Sequence, residues 1–138
     1  MMAIGKLSKL AGVKIPTIRY YEEVGLLAPA ARTEANRRTY DNADMRRLRF
    51  IRHARELGFD IGAIRQLIDL AGDPDRHCGE ADDIARRHLL DIDAKIERLS
   101  ALRSEIARML ATCAHDTIGQ CRVIEVLADH GQCEMREH

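Results

Sequence analysis

Four cysteines and six histidines are the residues of this 138-residue chain with the widest chemical reach. Cys78 stands in Arg76-His77-Cys78-Gly79, Cys113 in Thr112-Cys113-Ala114-His115, and Cys121 follows Cys113 after seven intervening residues. Thiolates are soft ligands suited to zinc, cadmium, lead, mercury and monovalent copper, and three of them make a low-coordinate site for a heavy ion. The metal reading therefore takes Cys78, Cys113 and Cys121 as the ligand set, with His77, His115 and Cys133 as further candidates. Cys133, with His130 and His138, falls in a polar tail where such residues also occur by chance, and His53 and His88 read as helix-surface or packing residues. The thiols admit two other chemistries. A disulfide between Cys113 and Cys121 would make a redox sensor, and Cys113 as nucleophile with His115 as base would make an enzyme. Against the enzyme, residues two apart at a helix end point in different directions, and no glycine loop is present to bind an oxyanion.

The elements that must position these thiols are legible from spacing. Residues 80–118 contain neither Gly nor Pro, and Ala85, Leu89, Ile92, Ile96, Leu99, Ile106, Leu110 and Cys113 recur at alternating steps of three and four. That is a coiled-coil seam, broken only where Arg103 takes a seam position beside Leu102. A helix over residues 80–112 is about 50 Å long at 1.5 Å per residue, so Cys78 cannot meet Cys113 within one chain. The seam has no partner of matching length in the chain and must be buried against another molecule, which predicts a homodimer. If the two helices run antiparallel, the start of one lies beside the end of the other. Two identical sites result, each with Cys113 and Cys121 from one chain and Cys78 from its partner, under a loop of residues 114–120.

Ahead of this helix the pattern is different. Over residues 4–21 two short helical patterns meet at Gly12-Val13, with Ile4, Leu7, Leu10 and Ala11 on one apolar face and Ile15 and Ile18 beginning another, while Ser8 and Lys9 face out. Gly12 suits the tight turn and Pro16 the first turn of the second helix, as in a helix-turn-helix. Residues 25–40 are too polar and broken for a helix and read as a hairpin-like wing. Asn42 or Asp41 can cap a third helix, with Met45, Leu48, Ile51 and Phe50 inward and Arg46, Arg47, Arg49 and Arg52 outside. A fourth helix over residues 60–70 ends at Ala71-Gly72-Asp73-Pro74.

Composition agrees with helices packed on helices: there is no Trp, only two Phe, and the sequence is rich in Leu, Ile, Ala and Arg. The formal net charge of zero hides an asymmetry, since residues 1–59 carry twelve Lys/Arg against six Asp/Glu, and the remainder ten against sixteen. A basic front joined to an acidic back suggests nucleic acid as the partner of the front. No apolar run approaches the roughly 20 residues that cross a bilayer, and the first residues lack a signal peptide's apolar segment. The expectation is a cytoplasmic protein without a membrane partner, whose reduced thiols serve as ligands rather than disulfides.

The string Thr17-Ile18-Arg19-Tyr20-Tyr21-Glu22-Glu23-Val24-Gly25-Leu26-Leu27 resembles the recognition helix and following turn of MerR-family transcription regulators, as do Arg32, Asn36, Arg37 and Tyr40 in the wing and Phe50-Ile51-Arg52 with Leu57-Gly58-Phe59 beyond it. The resemblance implies an all-α protein with a winged helix-turn-helix at residues 1–72, a long antiparallel coiled-coil dimerisation helix at 80–112, and a metal-binding loop, short helix and tail at 113–138. Thr17, Arg19 and Tyr20 would enter the major groove of double-stranded promoter DNA, and Arg32, Asn36, Arg37, Arg38 and Tyr40 would reach the flanking backbone, setting register more than reading bases. One of Tyr20 and Tyr21 should instead pack between helices.

It also implies an activator that distorts a promoter for RNA polymerase and serves metal efflux or detoxification. Regulators of monovalent copper, silver and gold in the family have Ser where Cys78 stands, whereas those of divalent ions have Cys, which favours zinc, cadmium, lead or mercury. The seven-residue loop and Asp73-Pro74-Asp75-Arg76-His77 resemble the copper type instead, and Ala114 replaces a Cys common in two-zinc sites. The four-cysteine run of the family's iron–sulfur redox sensor is absent here.

Overall fold

A computed structural model describes residues 1–111 and 117–129 of the chain. It divides into two compact units, Met1–Ile84 and Ala85–His138. The first holds helices α1 (Ile4–Ala11), α2 (Ile15–Glu23), α3 (Asn42–Glu56) and α4 (Ile61–Ala71), with a hairpin of β1 (Ala31–Arg32) and β2 (Arg38–Thr39) between α2 and α3. Helix α5 (Gly79–Ala111) starts in the first unit and runs into the second, which adds a 3-10 turn (Ile118–Gln120) and α6 (Arg122–Ala128). Among the described residues the two-residue strands are the only sheet, so the architecture is helical with a small wing.

The core of the first unit is drawn from every helix before α5 and from the segments beside the wing: Leu7, Ala11, Ile18, Tyr21, Leu26, Leu27, Tyr40, Leu48, Ile51 and Ile64 are all buried. α1 packs on α2 and α3, and α3 on α4. The α1–α2 turn forms because Gly12 takes the left-handed conformation at φ 69° and donates its N–H to Ser8 O. Ser8 is half-buried and not an outward residue, since its hydroxyl donates to Val13 O across the same turn.

Leu10 and Phe50 depart from the expected core, being 44% and 40% exposed. At 100° per residue, Leu10 lies roughly a quarter turn from the arc of Ile4, Leu7 and Ala11, and Phe50 nearly opposite that of Met45, Leu48 and Ile51. Asp41, rather than Asn42, caps α3 through a reciprocal box: Asp44 N–H donates to Asp41 Oδ1 at 2.9 Å and Asp41 N–H to Asp44 Oδ2 at 2.9 Å. The Asp44 N–H holds the Asp41 carboxyl below its ordinary range, while burial pushes that of Asp44 up. Asp60 caps α4 by accepting from Ala63 N–H, and Gly72 closes it, as the breaker sequence requires.

The second unit is built otherwise. α5 starts at Gly79, one residue earlier than the sequence reading, and is described through Ala111. Leu89, Ile96, Leu99, Ile106 and Leu110 are all more than half exposed along it, as is Leu90 beside the seam. Among its described residues, Glu105 and Met109 on the last turns of α5 and Val126 on α6 are buried. Among the described residues no helix is long and apolar enough to cross a membrane.

Candidate DNA interface and metal centre

Cys78 immediately precedes α5 and is exposed, its carbonyl accepting Asp82 N–H at 3.0 Å. Its Sγ lies 4.0 Å from Asp82 Oδ2. His77 turns its Nδ1 onto the start of the helix, where it accepts Gly79 N–H at 3.1 Å. With Nδ1 accepting, a neutral ring carries its proton on Nε2 and presents a donor there, so His77 would have to release Gly79 to act as a ligand. Arg76 grips both carboxylate oxygens of Glu80 at 2.7 and 2.8 Å, which raises the pKa of its guanidinium. Cys121 is half-buried at the N-cap of α6, its N–H donating to Ile118 O and its carbonyl accepting from Glu125 N–H. Cys113, His115 and Cys133 lie outside the described residues. Among the described residues no three His, Cys, Asp or Glu side chains come together to hold an ion. The two described thiols have the chemistry that a soft metal prefers: Cys78 is exposed immediately before a long helix, and Cys121 stands at the N-cap of another.

The basic front is assembled more fully. α2 presents Arg19 and Tyr20 to solvent, with Thr17 half-buried beside them. The two tyrosines divide as expected: Tyr20 is 47% exposed and Tyr21 is buried in the core, their rings 5.9 Å apart. Arg32, Asn36 and Arg37 are exposed in the wing. The tip turns because Asn36, at φ 62°, accepts the left-handed conformation that Asn tolerates better than most residues. Asn36 N–H donates to Thr33 O, and the Asn36 carbonyl accepts from Arg32 at 3.1 Å. Between α2 and the wing lies an open cleft of about 440 Å³, with Arg19 on one wall and Arg32 and Arg38 on the other. Glu22 and Glu23 line the same cleft, so its walls carry both signs of charge.

Tyr40 corrects the reading of the wing. It is fully buried, and its hydroxyl donates to Glu22 Oε1 at 2.6 Å, so its side chain is enclosed behind the wing and not presented at the surface. Burial, helped by the Glu22 hydrogen bond, pushes its phenol up to about 12. Arg38 donates to the other oxygen, Glu22 Oε2, at 3.3 Å. The sequence reading missed Glu22, although an acid on a helix that must face phosphate is a signal that it has an internal partner. It also took Arg49 and Arg52 only as outward residues. They are exposed, but they donate to Leu10 O at 3.1 Å and Ala11 O at 3.2 Å, satisfying the last carbonyls of α1. The Arg52 guanidinium also occupies the space that a Cβ on Gly12 would need. Arg65 likewise donates to Val24 O just beyond α2.

Comparison with known proteins agrees with this layout. Residues 2–71 match the MerR HTH family regulatory protein model and residues 45–109 the MerR DNA-binding model. The chain is 38% identical over 131 residues to the HTH-type transcriptional regulator ZntR of Escherichia coli (strain K12), covering 92% of each. It is 37% identical over 128 residues to heavy metal-dependent transcription regulator 2 of Rhizobium meliloti (strain 1021), covering 93% of this chain and 87% of that one. Its fold is similar to that of the transcription regulator PbrR691 from Ralstonia metallidurans CH34 in complex with lead(II), with a TM-score of 0.81 and 36% identity over 92% of this chain and 99% of that one. With the turn at Gly12, the recognition helix, the braced wing and the long α5 all in place, the chain belongs to the MerR family of helix-turn-helix transcription regulators.

Proposed function

We propose that this protein is a heavy-metal-responsive regulator that binds promoter DNA as an antiparallel homodimer and activates transcription by distorting the promoter when a divalent ion is bound. The observation that carries the reading is α5: a 33-residue helix with exposed Leu89, Ile96, Leu99, Ile106 and Leu110, and with Cys78 at its start. An apolar line of that length calls for a second copy, and antiparallel pairing brings the partner's Cys78 to the loop carrying Cys113 and Cys121. Neither protomer alone then completes the site. The heavy-metal names of the relatives and the lead ion in one of them support a soft-metal ligand set.

Metal binding orders the loop between Cys113 and Cys121 and docks α6 against the dimer helix. Ile124 and Leu127, exposed on α6, supply an apolar face for such docking. The ion can shift the heads only by its difference in affinity between the two arrangements, and that difference acts against the cost of deforming DNA. Efflux or detoxification genes are the expected targets, with RNA polymerase the partner at the promoter. A monovalent copper sensor is the second reading, favoured by the seven residues between Cys113 and Cys121.

The test is promoter-reporter induction across zinc, cadmium, lead, mercury and copper, repeated with Cys78→Ser. We expect divalent ions to induce and the substitution to abolish induction while operator binding persists. Induction by copper alone, indifferent to Cys78→Ser, would overturn the divalent assignment.

A further inference from the structure

The wing is too small to hold its own orientation. Its strands pair at only two positions, Ala31↔Thr39 and Arg32↔Arg38, and an isolated two-stranded hairpin is marginal in water. Its bearing must come from outside, and the attachment converges on Tyr40. The Tyr40 backbone exchanges hydrogen bonds with Met2 at 2.7 and 2.8 Å, while its side chain crosses to α2 and donates to Glu22 Oε1 at 2.6 Å. Arg38 of β2 takes Glu22 Oε2 at 3.3 Å. Both carboxylate oxygens of Glu22 are thus engaged by the wing, and its side chain is only 11% exposed. An ordinary surface acid on a recognition helix would repel phosphate; this one is enclosed and compensated.

We infer that Glu22, held between Tyr40 and Arg38, is a positioning residue that makes the recognition helix and the wing a single rigid body, so that the head can hold DNA in a distorted shape rather than merely adhere to it. The inference rests on the promoter-distorting reading above. Bending or untwisting a site costs free energy, and a joint softer than the duplex yields before the duplex does. Cation number and joint stiffness are separable: the first sets the salt dependence of binding, the second the ability to deform.

The experiment uses the full chain, loaded with zinc and in parallel with lead, and a duplex selected by the wild-type protein from a random-sequence pool. A 2-aminopurine at its centre reports unstacking. Tyr40→Phe removes only the hydroxyl, and Glu22→Gln keeps the shape while removing the charge. Counted per active protein and well below the melting temperature, both should bind the selected duplex about tenfold more weakly and lose most of the 2-aminopurine signal. The slope of log Kd on log salt should stay at the wild-type value. Arg32→Ala provides the contrast, with a slope shallower by about one. A merely structural role for Tyr40 and Glu22 would lower the melting temperature but leave Kd and signal per active protein unchanged, and that result overturns the inference. If the wild type itself gives no 2-aminopurine signal, the distortion reading fails. Glu22 is then judged on affinity at constant salt slope, where wild-type affinity in both variants also overturns it.

Discussion

The two units of this chain spend their apolar residues differently. In the first, Leu7, Ile18, Leu26, Leu48, Ile51 and Ile64 are fully or almost fully buried, and side chains from α3 close the end of α1. In the second, five seam residues of α5 stay more than half exposed. The first unit therefore closes a core of its own, whereas the second leaves an apolar line exposed, which in the proposed dimer a second copy covers. DNA recognition needs a rigid shape; a switch needs an element whose packing can change.

The largest effect that would break this comparison comes from the seam. Leu99→Asp places one charge from each protomer in the middle of the proposed dimer core, where an uncompensated charge costs several kcal/mol, so the dimer dissociation constant should rise at least about a hundredfold. Sedimentation velocity should show monomers that keep the helical signal of the first unit; an unchanged dimer would remove the distinction between the units. Next in size, Ile51→Ala opens a cavity in the first core and should cost about 2–5 kcal/mol of its stability, read by denaturant unfolding, while the dimer remains intact. A loss of dimer in that variant would show that the units are not independent.

The smallest and sharpest effect is a pH dependence confined to the first unit, where all three tyrosines lie. The Tyr40 phenol ionises near 12 when folded and near 10 in an unfolded chain. Its contribution to stability is complete below pH 10 and is lost as pH rises from 10 to 12, because only the unfolded state gives up the proton in that window. The difference in tyrosinate absorbance between wild type and Tyr40→Phe should therefore appear near pH 12, or earlier only upon unfolding. A difference titrating at pH 10 in folded protein would deny the enclosure of Tyr40.

What the sequence revealed follows from what is local or periodic. Gly12 and Pro16 marked the turn between α1 and α2, the Asp41 cap could be named, and the Gly72 stop was found where the structure has it. A run of 33 helical residues is legible because its pattern repeats through many turns. Leu10 and Phe50 were misjudged although the helical period was there to read: each lies off the arc that the other apolar residues of its helix share. Tyr40 was misassigned and Glu22 overlooked for a different reason: their contact spans eighteen residues and leaves no period behind. For the metal centre, types and spacing of cysteines name the donors, but Cys113 and Cys133 lie outside the described residues, and the proposed geometry belongs to a pair of chains.

The bridge between Met2 and Tyr40 has a practical side. The segment ahead of α1 is fastened to the wing, which in the proposed complex leans on DNA, so a purification tag or fluorophore carried on that segment is attached to the lever arm itself. Mass and charge added there act on the wing before they act on anything else, and binding constants measured on such a fusion belong to the fusion. A label on the exposed face of α4, at Gln66, leaves that arm unburdened.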